Sequence, residues 1–302
     1  MRNAFLQLHL SIVLAGFTGI FGKLITLPEG PLVWYRMLMA FLLLFGCLAA
    51  AGRLPRIPPL EAGKICGVGA LIAMHWLFFY GAVKYANVSI AVVCFALTGF
   101  FTAIFEPLCS KQAVSVRELA YSLLTVLGIT LIFHFDVRYR TGIILGVVCA
   151  VFAALFTIAM KRIGRNHEPS TMMLFQLLGG WFFLSIAAPF YLLLFPGTKL
   201  IPSSLDWLYL FLLSSVCTIG MFYLQIQALK KISAFTVNLS YNLEPVYSIV
   251  LAMILFNEGS QVSTSFYIGL GLICVSVLLQ SIAAARQRSI LLQQCASKDQ
   301  HP

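Results

Sequence analysis

Charge is scarce in this sequence. Of 302 residues only 10% are Asp, Glu, Lys or Arg, against 60% hydrophobic, and one water-soluble core cannot hide that much apolar surface. Polar alternation is scarce as well: the apolar runs are continuous, which excludes a membrane β-barrel, whose strands alternate about every second residue. No connection between runs is long enough for a soluble domain. The eight cysteines form no CxxC pair, and all but Cys295 lie in or beside apolar runs. They read as small core hydrophobes, with neither a zinc site nor a disulfide framework. The chain has no phosphate-binding loop, no HExxH, no GxSxG and no mid-span Gly-x-Gly-Asp motif, which argues against ATP-driven chemistry and an intramembrane enzyme. The net charge of +10 is spread over short clusters between apolar runs rather than gathered in an arm or stripe, so no nucleic-acid partner is expected. No cofactor or metal is expected either.

What is present is a series of segments long enough to cross the hydrocarbon, for which about 20 apolar residues are needed. Ten helices are expected, at 5–23, 32–51, 64–83, 88–109, 117–135, 142–161, 171–194, 206–228, 234–256 and 265–284, with boundary errors of about three residues. The partner is therefore a lipid bilayer. Arg2 and the run after it resemble a signal peptide without a small-residue cleavage site, so the first segment reads as an uncleaved span. With the N-terminus inside, fourteen of the twenty Lys and Arg residues fall on the inner side, the bias expected of cytoplasmic loops. Both termini are thus expected in the cytoplasm, and a bacterial inner membrane is the expected location.

The two halves resemble each other. A shift of 146 lays Ala82-Val83-Lys84 on Ala228-Leu229-Lys230 and the run Cys94 to Gln112 on the run Ser240 to Glu258. Shifts of 138 and 140 bring Lys23 onto Lys161 and Tyr35-Arg36 onto Phe175-Gln176. Five spans per copy is an odd number, so the second copy is inverted in the membrane. The expected fold is an all-α membrane protein of about ten transmembrane helices, arranged as two inverted five-helix repeats around a central cavity. Expected boundaries are 1–138 and 139–288 for the repeats and 289–302 for a cytoplasmic tail. Inverted repeats underlie many alternating-access transporters.

Two features carry a resemblance to a known family: Pro31 to Arg36, opening the second helix, and Tyr241-Asn-Leu-Glu-Pro-Val-Tyr247 through Leu255-Phe-Asn-Glu258 in the ninth. With the paired five-helix units, they resemble the EamA branch of the drug/metabolite transporter superfamily along nearly the whole chain. The first half departs from the pattern, with Thr98-Gly99 in place of Glu-Pro and Lys111-Gln112 in place of the terminal Asn-Glu. The resemblance implies a ten-helix carrier that moves metabolites, commonly outward, through a cavity lined by both halves.

Two carboxylates, Glu106 and Glu244, are expected within spans, where an ionised group is costly and usually faces a cavity or a partner. Glu106 reads as a structural residue that snorkels or meets Lys111. Glu244 lies about 15 Å along its helix, near mid-membrane. Pro245 beside it lacks an N–H and is expected to free the Tyr241 carbonyl, making Pro245, and likewise Pro107, a kink position. Asn238, Tyr241, Asn242, Pro245 and Ser248 share one face with Glu244 at its edge, either a wet cavity wall or interhelical glue. His75, Trp76, Phe79 and Tyr80 share a broad face of helix three. His75, like Glu244, is a candidate for proton coupling. Arg36, one turn inside the end of helix two, reads as a snorkelling anchor, with an anionic substrate group as the alternative. The expected substrate contacts are Thr18, His75, Trp76, Tyr80, Phe95, Thr98, Gln225, Asn238, Tyr241, Asn242 and Glu244. An apolar first-half wall opposite a polar second-half wall suits an amino-acid-like or amphiphilic metabolite. A secondary exporter is the leading expectation and an uncoupled facilitator or uptake carrier the alternative, while a receptor fits ten inverted spans less well. Proton coupling, substrate identity and oligomeric state stay open.

Overall fold

The computed structural model describes residues 2–111, 113, 116–135, 137–163, 167–229, 231, 237, 240–241, 243–279 and 282. Among these the protein is helical, without strands. The helices are α1 Arg2–Leu24, α2 Glu29–Ala50, α3 Pro59–Tyr85, α4 Val88–Phe95, α5 Thr98–Ser110, α6 Val116–Phe135, α7 Arg140–Ile163, α8 Pro169–Leu194, α9 Ser204–Ser214, α10 Met221–Leu229, α11 Glu244–Phe256 and α12 Thr264–Leu279. A six-residue π-helical segment, Ser215–Gly220, joins α9 to α10. Among the described residues seven stretches are long and apolar enough to cross a membrane, α4 with α5 and α9 through α10 each counting as one, beside three shorter apolar helices. The protein is an integral, multi-pass membrane protein of two inverted five-helix repeats. The helix α3 starts five residues before its expected position, because Pro59 stands where a helix needs no N–H.

Local chemistry sets the helix ends. The Asn87 side chain accepts from the Ile90 N–H at 2.8 Å and caps α4, while Ser203 and Asp206 form a capping box on α9. The helices α5 and α11 end on left-handed residues, Lys111 at φ 53° and Asn257 at φ 52°, which lie 146 positions apart. The repeat extends to an interruption inside each of these spans. Leu97 N–H donates to Cys94 O at 3.0 Å, and Leu243 N–H to Ser240 O at 3.0 Å. After each tightened turn the helix resumes, with Phe101 N–H on Leu97 O and Tyr247 N–H on Leu243 O. Every position in this pattern recurs at a shift of 146. Pro245 stands in the first turn of the resumed helix, a position that tolerates a residue without an N–H. Pro107 lies inside α5, ten residues beyond the interruption.

Packing follows the same symmetry. The helix α3 runs along α7 and α8, and the equivalent helices α9 and α10 run along α2 and α1. The helix α1 packs on α11 as α7 packs on α4 and α5. At the α6–α12 seam Thr125 donates to Ser276 at 2.8 Å. There an added Cβ on Gly128 would lie 2.7 Å from Gly269 O, and one on Gly269 would lie 2.6 Å from Gly128 O, so both positions need glycine for the backbones to meet. The main core draws on both halves, including Ile20, Met37, Tyr80, Val93, Ala150, Leu213 and Ile249. Large apolar side chains such as Phe182, Ile186, Phe190 and Leu193 remain exposed on α8, as expected of a lipid-facing surface.

Candidate functional site

The sequence-expected contacts fall into three groups, each joining the halves. The first centres on Arg36, which is 3% exposed and turns inward rather than snorkelling. Its Nη1 donates to the Tyr80 hydroxyl at 2.5 Å, while Nε and Nη2 donate to Thr218 Oγ1 at 3.3 and 3.1 Å. Its Cζ lies 3.7 Å from the centre of the Trp76 ring, within cation–π range. The Ser214 hydroxyl donates to the Arg36 carbonyl at 3.2 Å, and the Tyr80 hydroxyl approaches the Thr18 carbonyl at 3.5 Å. Thr218 lies in the π-helical segment, where its hydroxyl donates to Leu213 O, five residues back, at 2.8 Å. Single turns of π-helix inside α-helices often mark functional sites.

The second group lies between α3, α4 and α7. His75 Nδ1 is 3.1 Å from Cys149 Sγ and 3.4 Å from its carbonyl, and the His75 ring is 5.3 Å from Phe95 and 6.3 Å from Phe79. The Thr98 hydroxyl turns back on the Phe95 carbonyl at 2.7 Å. In the third group, where α1 meets α11 and the residues just before it, Tyr241 donates to Ser11 Oγ at 3.1 Å and Ser248 to Gly16 O at 3.4 Å. Glu244 is half-buried at the start of α11 and has no hydrogen bond or ion pair among the described residues. Gln225 is half-buried on α10, which packs along α1. Asn238 and Asn242 lie outside the described residues. Glu106 pairs with Lys161 rather than Lys111, because α5 packs on α7 and Lys161 stands in the last turn of α7.

Several polar residues were not singled out from the sequence. Ser214 and Thr218 bracket a small polar run, Ser214-Ser-Val-Cys-Thr218, in an otherwise apolar span, and that run was the available signal. Glu258, the last residue of the Leu255-Phe-Asn-Glu258 stretch, is fully buried. It accepts from the Val88 and Ser89 N–H groups at 3.1 and 2.9 Å, from Ser89 Oγ at 2.7 Å and from Lys23 Nζ at 2.8 Å. Burial alone would raise the Glu258 pKa, but the bonds from Lys23 and Ser89 outweigh it and hold the carboxyl below its ordinary range. At the same end of the bundle Asp206 accepts from Thr26 N–H at 2.6 Å and Thr26 Oγ1 at 2.7 Å, and Lys84 donates to the Ile25 carbonyl. This arrangement orients and binds; among the described residues no three His, Cys, Asp or Glu side chains gather as a metal site.

The sequence profile of the EamA-like transporter family matches residues 3–134 and again 140–282. The chain belongs to the EamA-like transporter family. A Haemophilus influenzae (strain ATCC 51907 / DSM 11121 / KW20 / Rd) relative described as an uncharacterized transporter is 27% identical over 157 residues, 49% of this chain and 51% of that protein. GDP-fucose transporter 1 of Dictyostelium discoideum is 28% identical over 146 residues, 45% of this chain and 40% of that protein. The chain thus matches about half or less of these relatives' lengths. A protein of known crystal structure shares the fold, with a TM-score of 0.60 and 19% identity over 95% of this EamA-like chain and 99% of its own. The family and these relatives are described as transporters.

Proposed function

We propose that the protein is a secondary transporter that exports a small metabolite by alternating access, with residues 1–138 and 139–288 as the two units that move against each other. The observation that carries this reading is the meeting of polar side chains from both halves inside an apolar bundle: Arg36 with Thr218, His75 with Cys149, and Tyr241 with Ser11. Polar groups buried in hydrocarbon cost free energy unless satisfied, and transporter sites typically lie at the junction of the repeats. In this reading Thr18, Trp76, Tyr80, Phe95, Thr98 and Gln225 line the path, and Asn238 and Asn242 join them from the ninth span. Both termini are cytoplasmic in a bacterial inner membrane, and no catalytic chemistry is involved. Glu244, a carboxylate without a described partner, supplies proton coupling.

Proteoliposome counterflow tests the carrier reading, using amino acids, sugars, nucleotide precursors and a nucleotide sugar, the last because one relative is named for GDP-fucose. Preloaded vesicles should accumulate at least one labelled solute above protein-free vesicles. If no solute accumulates, whichever way the protein faces, the carrier reading is wrong.

A further inference from the structure

We propose that Arg36 is the anchor for an acidic group on the transported solute, which makes that solute an organic anion, a carboxylate or a phosphate ester. This rests on the carrier reading above and names its substrate class. A guanidinium stays charged at any accessible pH, and taking an ion out of water is costly unless it is paired. Arg36 is buried, and among the described residues it forms no ion pair. Its partners are the neutral oxygens of Tyr80 and Thr218 and the face of Trp76. They hold the charge without cancelling it.

The geometry also leaves room in the valence of the group. Of the five N–H bonds of a guanidinium, three are used, one each from Nε, Nη1 and Nη2. One N–H therefore remains on each terminal nitrogen, the complement a carboxylate or phosphate can accept as a pair. Stacking on Trp76 covers one face of the guanidinium plane, and in-plane edges are where a fork binds. The side chain is fixed from two directions, since Tyr80 comes from α3 and Thr218 from the π-helical segment of the other repeat, so little ordering is left for the ligand to impose. A packing strut between helices would need only one such contact, and no charge.

The test compares four probes that share a ring and differ in head group, benzoate, phenyl phosphate, benzamide and benzylamine, with the purified full chain in detergent. Thermal unfolding is followed by intrinsic fluorescence. Benzoate or phenyl phosphate should raise the melting temperature at millimolar concentration, and benzamide and benzylamine should not; which anion acts separates a carboxylate site from a phosphate site. Arg36→Gln should abolish the shift. Arg36→Lys, which keeps the charge and loses the fork, should weaken apparent affinity by about tenfold or more. The proposal is overturned if neither anion shifts the wild type, if the neutral or cationic probe acts as strongly, or if Arg36→Lys binds anions as the wild type does. The wild-type comparison and the lysine variant decide the matter should Arg36→Gln fail to fold. Counterflow separates this idea from the carrier reading: transport of neutral or cationic solutes but of no anion ends the anion assignment alone. Arg36-dependent anion binding without transport ends the carrier reading alone.

Discussion

At Gly22 on α1 the ring of Tyr80 lies so close that an added Cβ would collide with it. Because the same Tyr80 hydroxyl accepts from Arg36, Gly22→Ala should push the ring and loosen the guanidinium without touching either polar group. We expect a stability loss of about 1–3 kcal/mol, typical of overpacking a core, together with weaker binding of any Arg36-dependent ligand. Thermal unfolding and ligand titration on one preparation check both effects, and a variant with unchanged values in each would mean that Tyr80 has room to move. Glu244 calls for a chemical change at constant shape. Glu244→Gln should leave the folded yield near wild type while abolishing or uncoupling transport and flattening its pH dependence, measured in proteoliposomes. Transport and a pH profile equal to wild type would remove Glu244 from the mechanism. Neither the inward turn of Arg36 nor its meeting with Thr218 was legible in the sequence. A cation one turn from a helix end can reach the interface or the bundle interior, and only the packing of neighbouring helices selects between them. The shared face of Trp76 and Tyr80 was legible from their helical spacing, and both side chains meet Arg36.

Among the elements, α4 depends on a residue from the far end of the chain. Its first N–H groups are satisfied by Asn87 and by Glu258, 170 positions beyond Val88, and a carboxylate at a helix N-terminus also complements the helix dipole. Glu258→Gln should destabilise the protein by about 1–3 kcal/mol, the cost of weakened bonds to buried donors. The pH dependence has a definite sign. The folded pKa of Glu258 lies below its unfolded value of 4.5, so its stabilisation is complete above that value and is lost as the pH falls through the depressed one. Acid unfolding of wild type and variant should therefore converge at low pH and diverge toward neutrality. Parallel curves with a constant offset would show that the carboxylate charge is not the source. The number of spans was legible because bilayer thickness fixes the length of each apolar run. The matched interruptions at Leu97 and Leu243, and the π-helical segment at Ser215–Gly220, were not. Each alters only the pairing of a few backbone groups and leaves the hydropathy of the run unchanged.

For the whole molecule, the shift of 146 found between the halves of the sequence recurs in the backbone as paired interruptions and paired left-handed helix ends, so the repeat was legible from residue types and run lengths alone. The contacts that hold the two halves together at the bundle ends were not legible, since they join residues remote in sequence, and Glu106 had a cation, Lys111, much nearer along the chain than Lys161. At one end Lys23 meets Glu258 at 2.8 Å. At the other end Glu106 meets Lys161, and Glu61 meets His167 at 2.8 Å. Each of these pairs links a first-half residue to a second-half residue. If the halves rock against each other, each end must part in one of the two states, and a covalent link at either end should stop exchange. We expect Lys23→Cys with Glu258→Cys, and separately Glu106→Cys with Lys161→Cys, in a background without native cysteines, to lose counterflow when a bifunctional thiol reagent with a reducible spacer is added and to regain it on reduction. The second pair joins more exposed side chains and does not cap a helix, so it reports on motion even where loss of Glu258 weakens the fold. Complete cross-linking with undiminished counterflow at either end would show that this end stays closed throughout the cycle, and solute would then have to cross without the two halves moving as units.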